Sequence, residues 1–356
     1  MTISIMDNGL THDEKFMARA IELAYKGGQN TQSNPNVGAV LAYKNKIIGE
    51  SYHKKYGEAH AEVNCINSVS EQDRHLISLS TLYVTLEPCC HYGKTPPCTD
   101  LILKHQIKKV VISVPDPYKE VNGGGIEKLR NHEVEVVTGV LKREGKLLLR
   151  KFNKNIQGLP YITLKMAVSQ DQFIGNPDSQ IWLSNSFSSV FTHRLRTNYD
   201  AILIGTNTAV LDNPKLTSRH YPGANPLRLV IDREGKIPLT HHIFTDGLPS
   251  SIFVQKIRNV APQVEQIMID DWESLIPKLL SYCTQNNLFS VLLEGGATLV
   301  KSFLDRNLID DAYVIKTNKV LGEGIRIPHF QGKLISTMNL DGNHVEHFQI
   351  KFPKSN

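Results

Sequence analysis

His60-Ala61-Glu62 is followed, after enough chain for a helix and a strand, by Pro88-Cys89 and then by Cys98. One imidazole and two thiolates are three ligands for a tetrahedral zinc ion, with the fourth position open to water, as in catalytic sites. Zinc lowers the pKa of such a water to about 7. Glu62, two residues past the His, is placed to take a proton from that water and pass it to a leaving group. Taken alone, His-x-Glu is as often a plain helix start, and two Cys nine residues apart are often buried thiols. The conjunction carries the metal reading. Cys90, beside a ligand, reads as a small side chain facing away, and Cys65 and Cys283 read as buried filler.

The second half of the chain has neither a zinc pattern nor a G-x-G-x-x-G fingerprint. It offers Gly205 and Thr208 after the strand-like DAILI, and Glu294-Gly295-Gly296 after SVLL. A strand ending in Gly-Gly before an apolar helix (ATLVKSFL) lets backbone N–H groups approach a phosphate. Gly-Gly is also common turn chemistry.

These groups need scaffolds. Phe16, Met17, Ala20, Leu23 and Ala24 recur at helical spacing over residues 12–27 and stop at Gly27-Gly28. VGAVLAY and KIIGESY read as a hairpin, and a helix starts near Ala59. LYVTLEP, KKVVISVPD and EVEVVTG read as further strands, giving a layered α/β unit. After LLL the text turns basic and non-periodic (RKFNKNIQG), so the spacing predicts two domains, 1–151 and 152–356. YITLKMAVS, DAILIGTNTAV, PLRLVIDR, SSIFVQ, SVLLEGG and DAYVIK then read as buried strands, with FSSVFTHRLRTN helical between them.

The length agrees, since 356 residues exceed the ~250–300 at which one core stops growing. Apolar residues are 40% and charged residues 21%, which excludes a disordered or fibrous chain. A formal charge of +5 admits anionic ligands but does not argue for nucleic acid. Five Cys make no disulfide framework and suit a reducing cytosol. The start MTISIMDNGLTHDEKF has no signal-peptide pattern, and no apolar run approaches the ~18 residues of a membrane span. The expected location is therefore cytoplasmic. No repeat or low-complexity tract occurs.

The first constellation resembles the cytidine-deaminase superfamily, with its H-x-E and P-C-x-x-C motifs and a Glu that is acid and base but no ligand. Here eight residues, CHYGKTPP, separate Cys89 from Cys98. That longer form is similar to the bifunctional deaminase–reductases of riboflavin biosynthesis, as are SNPNVGAVLAY, GESYHKKYGEAHAE and VPDPYKEVNGGGI. In the second half, LKMAVSQDQFIG, Trp182-Leu183-Ser184, HRLRTNYDAILIGTNTAVLDNPKLTSR, PLRLVID and LLEGGATLV follow that family's order.

The resemblance implies a cytidine-deaminase-like three-layer domain followed by a dihydrofolate-reductase-like α/β domain. It implies one zinc per chain on His60, Cys89 and Cys98, with Glu62 catalytic. Asn34 and His53 would contact the pyrimidine, and His91, Lys94 and Thr95 would hold a ribose phosphate. Lys165, Arg196, Asp212, Leu216, Arg219 and Glu294 would line the reductase substrate site. Ala167, Trp182, Ser184, Gly205, Thr208, Gly295 and Gly296 would line the NADPH site. Arg196 and Arg219 can fork onto phosphate. Asp212 alternatively starts an Asx turn before Pro214, and Trp182 alternatively is a core aromatic.

The implied reactions are hydrolytic deamination of 2,5-diamino-6-ribosylamino-4(3H)-pyrimidinone 5′-phosphate, then reduction of its ribosyl to ribityl by NADPH. The partners expected are small phosphorylated pyrimidines, with no nucleic acid and no membrane, in a homo-oligomer of two or more chains. Two departures stand out. The family's Arg is missing near Ser189, and VIKTNKVLGEG replaces the usual Ala-Pro and Gly-Gly text. An altered or inactive reductase, a tRNA or nucleoside deaminase with an appended domain, and a non-catalytic binding module are the competing readings. A nucleic-acid enzyme would need a basic, aromatic-studded face around the zinc site.

Overall fold

The computed structural model describes residues 9–92, 96–118 and 123–350. The chain forms two compact units, Met1–Gly158 and Leu159–Asn356.

In the first unit, α1 (His12–Tyr25) starts at a Thr11–Glu14 capping box. A hairpin follows, β1 (Gly38–Tyr43) and β2 (Lys46–Tyr52), then α2 (Ala61–Asn67), a 3-10 segment (Glu71–Leu79) and β3 (Thr81–Leu86). The unit continues with α3 (Cys98–Lys104), β4 (Lys109–Val114), α4 (Gly124–Asn131), β5 (Glu135–Thr138), α5 (Lys142–Leu148) and α6 (Arg150–Asn155). The sheet order is β2-β1-β3-β4-β5, antiparallel on the β1 side and parallel from β3 to β5.

Strand residues alternate between two cores. Val40, Ala42, Tyr83 and Val111 pack with Met17, Ala20, Ile21 and Leu148 on one face. Ala39, Leu41, Val84 and Ile112 pack with Cys65, Ile66, Ile102 and Leu129 on the other. The period of two along the strands thus builds three layers. The basic text after Leu149 folds as α6, and its Phe152 packs against Leu86, Val114 and Leu149. The break between units therefore falls at Gly158, beyond the 151/152 junction that composition suggests.

The second unit is a sheet of nine strands. In chain order they are β6 (Tyr161–Val168), β8 (Ala201–Ile204), β9 (Leu227–Ile231), β10 (Ser250–Val254), β11 (Val264–Met268), β12 (Ser290–Leu293), β13 (Asp311–Lys316), β15 (Gly332–Leu340) and β16 (Asn343–Ile350). Two further short strands, β7 (Phe173–Gly175) and β14 (Ile325–Arg326), pair with each other. The helices are α7 (Ser186–Arg196), α8 (Thr206–Asp212), α9 (His242–Thr245), α10 (Trp272–Gln285) and α11 (Ala297–Asp305).

Sheet order is β11-β10-β9-β8-β12-β6-β13-β16-β15, parallel as far as β13 and antiparallel beyond it. α10 and α11 cover one face through Leu275, Leu279, Val300 and Phe303. α7 and α8 cover the other through Phe191, Leu195 and Ala209. DAILIGTNTAV is not one strand. It turns at Gly205, which caps α8. Among the described residues no helix is long and apolar enough to cross a membrane.

Candidate active sites

Both units place their chemistry at the carboxyl ends of parallel strands, where open α/β sheets bind ligands. In the first unit His60 is the N-cap of α2, which puts Glu62 in that helix's first turn. Cys89 follows β3 and Cys98 opens α3. His60 Nδ1 lies 3.6 Å from Cys89 Sγ and 3.4 Å from Cys98 Sγ. All three ligand atoms lie within 4.8 Å of one another. Tetrahedral zinc with bonds of about 2.0–2.3 Å needs separations of roughly 3.5 Å, so the residues fit the ion.

The thiols also suit a cation. Cys98 hydrogen-bonds Cys89 and, with His60, pulls the Cys89 thiol down to about 4, while Cys98 itself is pushed up. A zinc ion would displace the proton they share. Glu62 is 3% exposed, and burial beside Cys89 pushes its carboxyl up to about 7. Such a group can both accept and return a proton near neutrality.

His60 and Cys89 line a cavity of about 530 Å³ whose walls also include Glu62, Asn34, His53, His91, Asp116 and Tyr118. His53 Nδ1 lies 3.1 Å from the Ala59 carbonyl, which can only accept, so the proton sits on Nδ1. Its Nε2 then accepts from Asn34 Nδ2 at 3.1 Å. Burial lowers the His53 pKa, so a neutral ring is favoured. Lys94 and Thr95 lie outside the described residues. Cys90 is half-buried, while Cys65 and Cys283 are core residues.

Glu87 belongs to the site, although no motif chemistry assigns it a role. Its carboxylate is 3% exposed and accepts backbone N–H groups of Asp116, Gly123, Gly125 and Ile126 at 2.9–3.1 Å. It thus fixes the segment after β4 to the start of α4, beside the cavity.

In the second unit Glu294, at the end of β12, sits between two cations. Arg196 Nε and Nη2 donate to its two carboxylate oxygens at 2.8 and 3.0 Å, and Lys165 Nζ lies 3.4 Å away. Burial opposes ionisation, but Arg196 and Lys165 hold the carboxyl at about 2. The fork of Arg196 is therefore engaged by Glu294 rather than free for phosphate, and its Nη1 donates to the Thr217 carbonyl at 2.8 Å. The physical reason is burial, since a carboxylate in that position requires a paired cation.

A cavity of about 670 Å³ takes in Gly205, Thr208, Asp212 and Gly296. Gly295 and Gly296 have φ of +143° and +74°. A Cβ at Gly295 would meet Thr208 Oγ1 at 2.8 Å, so only Gly lets the strand end pass Thr208. Asp212 ends α8 and caps no turn with its side chain; Asn213 at φ +40° makes the turn instead. Leu216 is buried and Arg219 is exposed on the loop that follows. Ala167, Trp182 and Ser184 do not line this cavity. Trp182 is 67% exposed, which removes its core-aromatic reading.

A family model for the cytidine and deoxycytidylate deaminase zinc-binding region matches residues 10–114, and a model for the RibD C-terminal domain matches residues 160–352. The chain belongs to the RibD family.

The riboflavin biosynthesis protein RibD of Bacillus amyloliquefaciens is 37% identical, over 92% of this chain and 94% of its own. That of Escherichia coli (strain K12) is 32% identical, over 88% and 90%. Among solved structures, the Thermotoga maritima diaminohydroxyphosphoribosylaminopyrimidine deaminase/5-amino-6-(5-phosphoribosylamino)uracil reductase is 34% identical. It superposes with a TM-score of 0.83 over 95% of this chain and 99% of that one. Acinetobacter baumannii RibD (form 1) is 31% identical, with a TM-score of 0.80 over 96% and 99%.

Against these RibD relatives the fold class stands as expected: a deaminase-like unit precedes a RibD reductase unit. Ser189 lies in α7, and nothing in its surroundings explains the missing Arg. The divergent NKVLGEG text forms the approach to β14, and Asp171 pins it by accepting Leu321 N at 3.1 Å and Gly322 N at 2.7 Å. Lys319 donates to the Trp182 carbonyl on the same side. The cavity also exposes Arg233, Lys236 and Trp272, which sequence reasoning missed. The basic pair in DREGK directly after β9 was the available signal.

Proposed function

We propose that this RibD-family enzyme deaminates a diaminoribosylaminopyrimidinone phosphate and then reduces the ribosyl of the product to ribityl, the two steps lying in separate units of one chain. The observation that carries the reading is the His60, Cys89, Cys98 cluster, two of whose members, His60 and Cys89, line one cavity with buried Glu62. Zinc held by the triplet supplies Lewis acidity toward water. Glu62 accepts a proton from the attacking water and returns it to the departing nitrogen, so ammonia leaves and a carbonyl replaces the amine. Asn34 and His53 present a fixed pair of hydrogen-bonding groups to the ring, and His91 lies on the wall where the ribose phosphate enters. Lys94 and Thr95 complete the phosphate site in this reading.

Bound in the second unit, NADPH would supply the hydride for C1′ of the substrate. Gly205, Thr208, Gly295 and Gly296 would hold its phosphates, and Ala167, Trp182 and Ser184 would line the rest of the NADPH site. Glu294 fixes Lys165 and Arg196, and Asp212, Leu216 and Arg219 complete the substrate side. Arg219, an exposed cation on the loop after Leu216, meets the substrate phosphate in this reading, Arg196 being engaged by Glu294. Both reactions run in the cytoplasm, which suits five free cysteines, in an oligomer of at least two chains.

The test is to incubate the diamino pyrimidine phosphate with and without NADPH. Ammonia release in both cases, with ribityl product only with NADPH, supports the reading. NADPH oxidation without prior deamination would overturn the order, and absence of ammonia would overturn the first step.

A further inference from the structure

α7 carries a buried imidazole, His193, that the chemistry above leaves unused. His193 is 3% exposed, and its Nδ1 accepts the backbone N–H of His220 at 3.0 Å. The His220 ring lies 4.5 Å away, centroid to centroid. One turn further along α7, Arg196 Nη1 takes the Thr217 carbonyl at 2.8 Å. Two side chains of one helix thus hold both sides of Arg219. Ser218 secures the far side, with its N–H and Oγ on Asn225 Oδ1 at 2.8 and 2.9 Å. The loop starts at Leu216, a buried non-glycine residue at φ +56°, so its path is held against backbone preference.

For Nδ1 to accept, the ring must be neutral. Burial, with Arg196, Arg219 and His220 facing the ring, pushes its pKa down to about 4, while the Ser218 backbone works the other way. The charged groups around His193 therefore keep it an acceptor at neutral pH.

We propose that His193 is a positioning residue whose Nδ1 anchors the 216–220 loop so that Arg219 meets the substrate phosphate. This rests on the reading of Arg219 under Proposed function.

Asn places an amide oxygen near the position of Nδ1, whereas Gln places its amide near Nε2. In the full-length enzyme, His193→Gln raises the reductase KM for the ribosylaminouracil phosphate, and the Ki of D-ribose 5-phosphate as competitor, by about tenfold. Its kcat and the NADPH Kd from fluorescence quenching stay within about twofold of the parent, inside the small-effect range for distant sites. His193→Asn restores KM and Ki. A Gln variant with the parental KM, Asn and Gln variants that behave alike, or a fall in NADPH affinity together with kcat would each overturn the proposal. Arg219→Ala separates the two readings. If it leaves KM and Ki unchanged, the role of Arg219 falls. Hydrogen exchange at the His220 amide, faster with Gln than with Asn, then still decides the anchoring.

Discussion

Gly125 and Glu87 are locked together. The Gly125 N–H donates to Glu87 Oε1 at 2.9 Å, and a Cβ on Gly125 would stand 2.1 Å from the Pro88 carbonyl oxygen. Side-chain rotation cannot relieve such a contact, because the obstacle is backbone. Gly125→Ala must therefore move the segment that carries Cys89. Overpacking of this kind costs about 1–3 kcal/mol. The expected outcome is loss of zinc stoichiometry and of ammonia release in parallel, with NADPH oxidation on pre-deaminated substrate unchanged. Metal analysis and the two assays check it.

Glu62 makes the sharpest separation of metal binding from proton transfer. Glu62→Gln keeps the shape and leaves His60, Cys89 and Cys98 in place, so about one zinc per chain should remain. Ammonia release should fall by about 10²–10⁴, the usual contribution of a positioned acid and base. A Gln variant that deaminates at the parental rate removes Glu62 from the mechanism.

The Glu294 carboxyl sits at about 2 in the folded chain, against about 4.3 for an ordinary Glu. A depressed pKa contributes stability in full above the unfolded value and loses it as pH falls toward the folded one. The thermal midpoint of the reductase unit should therefore drop between roughly pH 4.5 and 2. Glu294→Gln should flatten that drop. Arg196→Met, which leaves the buried carboxylate short of a cation, should cost about 3–5 kcal/mol at neutral pH. Scanning calorimetry across the pH range distinguishes these outcomes.

Gly295 tests the proposed NADPH end. At φ +143° with Thr208 Oγ1 2.8 Å from a built Cβ, Gly295→Ala is strained both in its backbone and by contact. NADPH binding should weaken by at least about tenfold, a change of about 1.4 kcal/mol. Deamination should be untouched. Fluorescence titration with NADPH, alongside ammonia release, measures both.

The His60, Cys89 and Cys98 cluster, with Glu62 close by, could be read from the sequence because metal chemistry restricts residue type and spacing. The strands could be read wherever both faces are buried, as in Ala201–Ile204 and Ser290–Leu293. The hairpin Gly332–Ile350 went unread because its strands are half-exposed and polar, although Asp341-Gly342, with φ of 49° and 85°, is a strong turn signal. Glu87 was hidden for another reason. Its partners are backbone N–H groups 29 to 39 residues away, which carry no residue identity. The engagement of Arg196 was hidden likewise, since Glu294 lies 98 residues further on.

The two units have separate cores, and each cavity is lined from one unit alone. Translation nevertheless delivers both catalysts in equal number, whatever the level of expression. The ratio of their turnover numbers then sets how much deaminated intermediate stands in the cell. A substitution that slows the second unit cannot be offset by raising the reductase alone, because each new chain adds a deaminase along with it.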